Sequence, residues 1–433
     1  MNAPPRQFLE RLFHTVVAAA HPANCLPAHL PPPPAMGRLV VLAAGKAAGS
    51  MTEVAERHYL DTLGLAPARL GGLAVTRTGY ARPTRHIPVI EAGHPVPDEA
   101  GLAAAERTLA LADSADADDI VLVLMSGGAS ANWIAPARGL TLADKQAVTR
   151  ALLRSGAAID EINAVRKHLS RIKGGRLAVH AQPAQVLTFA ISDVPGDDPA
   201  VIGSGPTVPD PTTLADARAV LARFGIEPPE AVRQALADPR NESPKPGDAA
   251  FDRATFRLIA RPVDAFRAAE EQIRAAGLDC VFLGDRVEGE AREVAAAHAR
   301  LARDMRQAGR RGVILSGGEL TVTMRGGDRG GRGGRCQEYA LALAIALEGT
   351  NGIVALAADT DGTDGGDGRA DDPAGAFCDS TTTAKARQSG LDPAEFLADN
   401  DSTGFFTQAG GLLQTGPTFT NVNDFRAIFV DAP

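Results

Sequence analysis

The stretch RLVVLAAGKAAGS (38–50) decides how the fold is read. Six uninterrupted apolar residues, Leu39 to Ala44, run into Gly45, and Lys46 then opens the helix-forming segment MTEVAERHYL. A continuous apolar run suits a strand covered on both faces, and the amphipathic stretch behind it supplies the cover. The same grammar returns at DIVLVLMSGG (119–128), QVLTFAISDV (185–194), TFRLIA (255–260), DCVFLG (279–284), GVILSGG (312–318) and GIVALAAD (352–359). Helical candidates lie between them. They include TLADKQAVTRALLRSG (141–156), with Thr141 and Asp144 near its start, and VDAFRAAEEQIRAAG (263–277), closed by Gly277. Strands alternating with helices around mostly parallel, buried strands define the α/β class.

At 433 residues the chain has room for about two or three domains, and 45% hydrophobic content supplies a core for each. That excludes a disordered chain. Forty-five glycines and 30 prolines imply many folded loops rather than low complexity. The polar, proline-bearing segment ADPRNESPKPGDAAFD (237–252) separates two series of units and places a boundary at 245/246. The expected domains are therefore 1–245 and 246–433.

A formal net charge of −8 offers nothing global to nucleic acid or an anionic membrane surface, so any anion must be held locally. The four cysteines, Cys25, Cys280, Cys336 and Cys378, form no CxxC pair and fit a reducing compartment. The apolar run Thr15–Ala20 is too short for a signal or a span, which points to a soluble cytoplasmic protein with no membrane partner. Aromatics at 4% leave little stacking surface for carbohydrate or bases.

In open parallel sheets ligands sit beyond the carboxyl ends of strands, so the loops there carry the chemistry. Lys46 follows a strand and opens a helix, where a cation opposes the macrodipole by ~0.3–1 kcal/mol unless an anion shares the site. The loop RGGDRGGRGGRC (325–336) brings Gly333, Gly334 and Arg335 to the start of an apolar helix, a pattern suited to an anion nest. The loop SDVPGDDPAVIGSGPTVPDPTT (192–213) leaves its strand with Asp193, then Asp197 and Asp198. Carboxylates there suit Mg²⁺ or a general base. The acidic stretch 358–372 fails the EF-hand pattern and reads mainly as a solvated turn. The Walker pattern fails because Val40 stands at its first glycine and Ala47 follows Lys46. No GxGxxG, HExxH or GxSxG is present either, which weakens dinucleotide, zincin and α/β-hydrolase readings. In NAVRKHLSRIKGG (163–175), helical spacing places Asn163, Arg166, Ser170 and Lys173 on one face.

Taken together, VLAAGKAAGSM, EAGHPVPDEAG, LMSGGASA, NAVRKHLSRIKGGRLA, ISDVPGDDPAVIGSGPTVPDPTT, LSGGELTV, GGRCQEYALA, DTDGTDG and TGPTFTNVND resemble, in order, the glycerate 2-kinase family with its C-terminal MOFRL region. The resemblance runs from about residue 8 to 425 and places the MOFRL region at about 312–425. It implies an N-terminal Rossmann-like, mostly parallel three-layer domain and a C-terminal α/β domain facing a cleft. It also implies ATP- and Mg²⁺-dependent phosphorylation of the C2 hydroxyl of D-glycerate. By that likeness Lys46 and Arg335 serve the transferring phosphoryl group and the substrate. Asp193 serves as base or metal ligand with Asp197 beside it, and Ser126, Gly127, Gly128, Ser130, Gly333 and Gly334 cradle nucleotide phosphates. Arg166 and Lys173 then meet the substrate carboxylate. Cys336 and Phe419 depart from the family pattern and point to a change in the accepted hydroxy acid. Asn132 and Trp133 also stand where aliphatic residues are expected. Some relatives bear the name hydroxypyruvate reductase, so an NAD(P)H enzyme using His94 or His168 stays open, as does a homo-oligomer or a non-catalytic sensor on the same fold.

Overall fold

The computed structural model describes residues 4–324, 331–366 and 368–432. Two compact units divide the chain: Cys25–Ile259, and Met1–Asn24 together with Ala260–Pro433. The α/β class holds in both. The six residues Arg325 to Gly330 of the glycine-rich loop, and Asp367 of the acidic stretch, lie outside the described residues.

The first unit is built on β1 (Leu39–Ala44), β2 (Leu70–Arg77), β3 (Val89–Ala92), β4 (Ile120–Met125), β5 (Gln185–Ile191) and β6 (Ala254–Ala260). They stand in the order β3-β2-β1-β4-β5-β6. β1 runs parallel to β2 and β4, β2 to β3, and β4 to β5. The chain winds outward from β1 to β3 and returns to build the other half from β4. The order therefore reverses between β1 and β4, the switch point at which doubly wound sheets open a crevice. Every position of β1 and β4 is buried, as the unbroken apolar runs require. Val40, Leu42 and Ala44 pack in one cluster with Ala104, Ala105, Leu109 and Ala112 of the helix Glu99–Asp113.

A satellite core of four helices sits in the same unit: Leu142–Ser155, Ile159–His168, Leu214–Arg223 and Glu230–Ala237. The first is closed at its start by a capping box between Thr141 and Asp144, as its sequence predicts. Its buried stripe is Lys145, Val148 and Leu152, the i, i+3, i+7 spacing of one helical face. Apolar packing at two of these positions carries the lysine inward with them.

In the second unit, β7 (Asp279–Phe282), β9 (Gly312–Ser316), β11 (Ile353–Asp359), β12 (Gly375–Asp379), β13 (Leu412–Leu413) and β14 (Asp424–Val430) form a sheet in the order β13-β12-β11-β14-β9-β7. A separate short pair joins β8 (Gly289–Glu290) and β10 (Leu320–Thr321). Only the β7–β9 pairing of the larger sheet is parallel; β11–β12, β11–β14, β12–β13 and β14–β9 are antiparallel. The mostly parallel expectation fails here because β11 and β14 are covered on both faces, and an apolar run reports cover rather than direction. The helix Arg335–Ala346 is buried from Cys336 through Ala344, which explains its lack of a polar side.

The helix Pro5–Ala20 joins this second unit across the sequence. Phe8, Leu9, Leu12, Phe13 and Val16 are buried, Phe13 lies edge-on to Phe425, and Thr15 donates to Gln272 at 2.6 Å. Segment 237–252 precedes β6, which forms the edge of the first sheet beside β5, so the units part at Ile259/Ala260 rather than at 245/246. The compositional break marks a loop inside the first unit.

Candidate functional site

β1 and β4 end in register, Ala44 opposite Met125, so the Gly45-Lys46 and Ser126-Gly127-Gly128 loops leave the sheet side by side. Backbone bonds zip them together: Lys46 N–H donates to the Gly127 carbonyl at 2.8 Å and Ser126 N–H to Ala44 at 3.1 Å. The Ser126 Oγ accepts from Ala47 N–H at 2.8 Å. Ser126 is thus committed to holding the two loops, while Gly128 faces what they enclose. Gly128 has φ +86°, and a Cβ there would lie 3.1 Å from His94 Cδ2 and 3.4 Å from Lys46 Cγ. Both side chains therefore flank this glycine.

Beside it opens a cavity of about 240 Å³, lined by Gly128, Ser130, Lys145, Arg166, Lys173 and His94 among others. Among the described residues lining it there is no Asp or Glu. Lys173 donates to the Ser130 carbonyl at 2.8 Å, and Lys145 to the Leu169 carbonyl at 2.9 Å. Burial, reinforced by the neighbouring Arg166 charge, lowers Lys173 to about 7. Burial also pushes Lys145 well below the usual lysine range, helped by repulsion from Lys173, Arg166 and Arg176. Burial lowers Arg166 as well. Buried lysines whose charge is disfavoured beside an arginine, with no acid in the lining, make an environment that an anion would relieve.

The structure thus brings together Lys46, Gly128, Ser130, Arg166 and Lys173. The route differs from the expected helical face, because the helix ends at His168. Ser170 then turns the chain, its Oγ accepting from the N–H groups of Ile172 and Lys173, and this turn swings Lys173 back to the cavity. Asn163 reaches Ser130 indirectly: its Oδ1 accepts from Ser204 Oγ at 3.3 Å, and Ser204 Oγ meets Ser130 Oγ at 2.8 Å. Ser204 holds φ +61°, a left-handed conformation that costs a non-glycine residue energy and here aims its hydroxyl at Ser130. Lys145 and Ser204 were missed in the sequence. A lysine on an apolar stripe, as in Lys145-Val148-Leu152, was the available signal for the first; no local signal marked the second.

Asp193 lies two residues beyond β5 and is half-buried. Asp197 sits four residues on with φ +57°, and its Oδ1 is shielded from solvent with no hydrogen-bond donor. A buried carboxylate oxygen without a donor fits a cation ligand. Among the described residues no three His, Cys, Asp or Glu side chains are grouped to hold a metal by themselves. Mg²⁺ commonly takes one or two carboxylates and completes its shell with water and phosphate oxygens.

Gly333, Gly334 and Arg335 line a different pocket, of about 250 Å³, within the second unit, with Glu338, Asp364 and Asn400. Asp364 occupies the helix start that the sequence marks as an anion nest: it accepts from Cys336 N–H at 3.1 Å and Gln337 N–H at 2.8 Å. Burial lifts its carboxyl to about 6 against the pull of those donors and of Arg335. A Cβ on Gly334 would come within 2.2 Å of Asp364 Oδ1, so this close approach serves the protein's own carboxylate. Arg335 is held by Asp424 at 2.8 Å, Asp359 at 3.0 Å and Glu319 at 3.1 Å. Burial opposes its charge, yet the carboxylates outweigh burial and keep its pKa well above the usual value. Cys336 packs fully buried in the core of this unit, and Phe419 stands at φ +59°. His168 is fully buried between the Ala164 carbonyl and Glu242, whereas His94 reaches the first cavity.

Fold and site together define an α/β protein of two units with a cation-lined pocket at the switch point of its first sheet. The domain of unknown function DUF4147 matches residues 8–237, and the MOFRL family matches residues 312–424. A putative hydroxypyruvate reductase of Agrobacterium vitis is 47% identical over 429 residues, covering 98% of this chain and 94% of that protein. A D-glycerate 2-kinase of Thermotoga maritima is 39% identical over 394 residues, 90% of each chain. The crystal structure of a glycerate kinase from Thermotoga maritima matches with a TM-score of 0.83 at 36% identity, covering 98% of this chain and 99% of that one. The chain belongs to the glycerate kinase family that carries a MOFRL region, some of whose members are named hydroxypyruvate reductase. No helix among the described residues is long and apolar enough to cross a membrane.

Proposed function

We propose that the chain is a glycerate kinase that moves the γ-phosphoryl group of ATP to the C2 hydroxyl of D-glycerate, giving 2-phospho-D-glycerate. The observation that carries this reading is the cavity lined by Lys145, Arg166 and Lys173 without an acid, opening beside Lys46 at the sheet's switch point. Relatives that are glycerate kinases over most of their length support it. In this reading Arg166 and Lys173 hold the substrate carboxylate, and Ser130 orients a hydroxyl. Lys46 is given the task of stabilising charge on the transferring phosphoryl group without covalent chemistry. Gly127 and Gly128 let the backbone come close to the terminal phosphate.

Asp193 and Asp197 would hold Mg²⁺, which when bound neutralises phosphate charge and lowers the cost of approach by the attacking oxygen. In the same reading Asp193 accepts the proton of the hydroxyl. Arg335, again in this reading, meets nucleotide phosphates that arrive with a metal, because the carboxylates around it repel a bare phosphate, while Asp364 keeps the nest beside Gly334. A compartment such as the cytoplasm suits four free thiols.

A hydroxypyruvate reductase is the second reading, favoured by the position of His94 at the cavity and by the name of the Agrobacterium relative. One experiment separates the two. Purified protein is given Mg²⁺-ATP with D-glycerate, ADP is followed, and phosphorus NMR assigns the phosphorylated carbon; a parallel sample receives NADH or NADPH with hydroxypyruvate. ADP release with phosphate on C2 is the expected result. Loss of nicotinamide absorbance without ADP would overturn the kinase reading.

A further inference from the structure

The first cavity carries more positive charge than a hydroxy acid can answer. Its wall presents two lysines and an arginine; Lys145 is anchored to the Leu169 carbonyl and Lys173 to the Ser130 carbonyl. Lys46 and His94 border the same space, and Arg176 stands behind it, donating to the carbonyls of Lys167 and Lys173. The neighbouring carboxylates are already engaged elsewhere: Asp210 faces Lys167, and Glu242 faces His168 and Lys245. A free hydroxy acid brings one negative charge. Lys145, Lys173 and the half-buried Arg166, when all are protonated, outnumber that single charge and repel one another.

A volume of about 240 Å³ equals roughly eight waters at their liquid share of about 30 Å³ each. It lies below the roughly 300–1,000 Å³ of sites for drug-sized ligands, so it suits a small acid rather than a whole nucleotide. Ser130, fixed by Ser204 and Asn163, adds a neutral hydroxyl that accepts or donates. We propose that this cavity holds a phosphorylated hydroxy acid, with its carboxylate and phosphate both bound, more tightly than the unphosphorylated acid, so that the product restrains the enzyme. This rests on the kinase reading for the word product, but the affinity order stands on the cavity alone. Filling the cavity with charge also reverses what burial does to Lys145 and Lys173, so binding at neutral pH takes up protons.

Isothermal titration calorimetry on the whole chain tests this with three probes: 2-phospho-D-glycerate, D-glycerate and inorganic phosphate. Each is titrated at pH 7.5 in two buffers of different ionisation heat. The expected result is at least tenfold tighter binding of the phosphorylated acid than of the other two, with net proton uptake. In Lys145→Met most of the tenfold preference should vanish. Should that variant fail to fold, as judged by circular dichroism, the parent protein alone decides. Equal or weaker binding of the phosphorylated acid, phosphate binding as tightly as the whole acid, or binding without proton uptake each overturns the proposal. A protein that shows the preference yet releases no ADP from glycerate would sink the kinase reading and leave this inference intact.

Discussion

Lys173 is a lysine whose surroundings work against its charge. Its ordinary value of 10.5 falls to about 7 when the chain folds. Between these values the unfolded chain binds a proton that the folded chain lacks, so stability rises with pH by about 1.4 kcal/mol per unit. Below about pH 7 both states are protonated and the full penalty of the buried charge is present. Lys173→Met should remove this slope. Urea titrations of the ligand-free protein at pH 7, 8 and 9 are expected to show the parent gaining on the variant as pH rises; parallel profiles would mean that the ammonium is not buried in solution. Lys46 makes a different residue-scale prediction. Its proposed task is to orient charge rather than to support the fold, so Lys46→Ala should lower kcat by about 10²–10³-fold. Its unfolding midpoint should stay near that of the parent, and near-normal kcat would remove Lys46 from the chemistry.

At the scale of elements, the loop after β4 is positioned by a glycine that no other residue replaces cheaply. Gly128→Ala introduces a left-handed alanine, costing about 1–2 kcal/mol, with its methyl against His94 and Lys46. Displacement of these groups should lower kcat/KM roughly 10–100-fold, measured beside thermal unfolding to separate strain from catalysis. Much of this layer was legible in the sequence. The β1 and β4 runs, the Thr141–Asp144 capping box and the lysine after Gly45 all carry local signals. β2 was not, since Gly71 and Gly72 interrupt its apolar run, and β12 and β14 are absent from the runs read as strands. The anion nest before Arg335 was legible as a pattern, but its occupant was not. Asp364 is 29 residues away in sequence, and only folding shows that the chain supplies its own carboxylate there.

For the whole molecule, local patterns find cores but not which core a segment joins. The helix Pro5–Ala20 was expected with the nearest domain, yet its buried face belongs to the unit completed by β14. Removing residues 1–20 strips five large buried side chains, Phe8, Leu9, Leu12, Phe13 and Val16, from that unit. At roughly 1.5–3 kcal/mol each, the loss is about 8–15 kcal/mol, comparable to the whole stability of a domain. The truncated chain should therefore lose cooperative unfolding in its second unit. Limited proteolysis is expected to digest the region after residue 260 while Cys25–Ile259 resists; a fully protected second unit would contradict this packing.

The same helix sets an order of events during synthesis. Its residues leave the ribosome long before their cover: the helix Pro262–Ala275 emerges more than 240 residues later, and strands β11 and β14 more than 330. At bacterial-to-eukaryotic elongation rates of about 5–20 residues per second, the interval is on the order of tens of seconds. The intervening unit has its full set of strands by residue 260 and can close during that time. The newborn chain thus trails a bare apolar ribbon from an already folded body, an address for a holding chaperone that disappears once translation is complete.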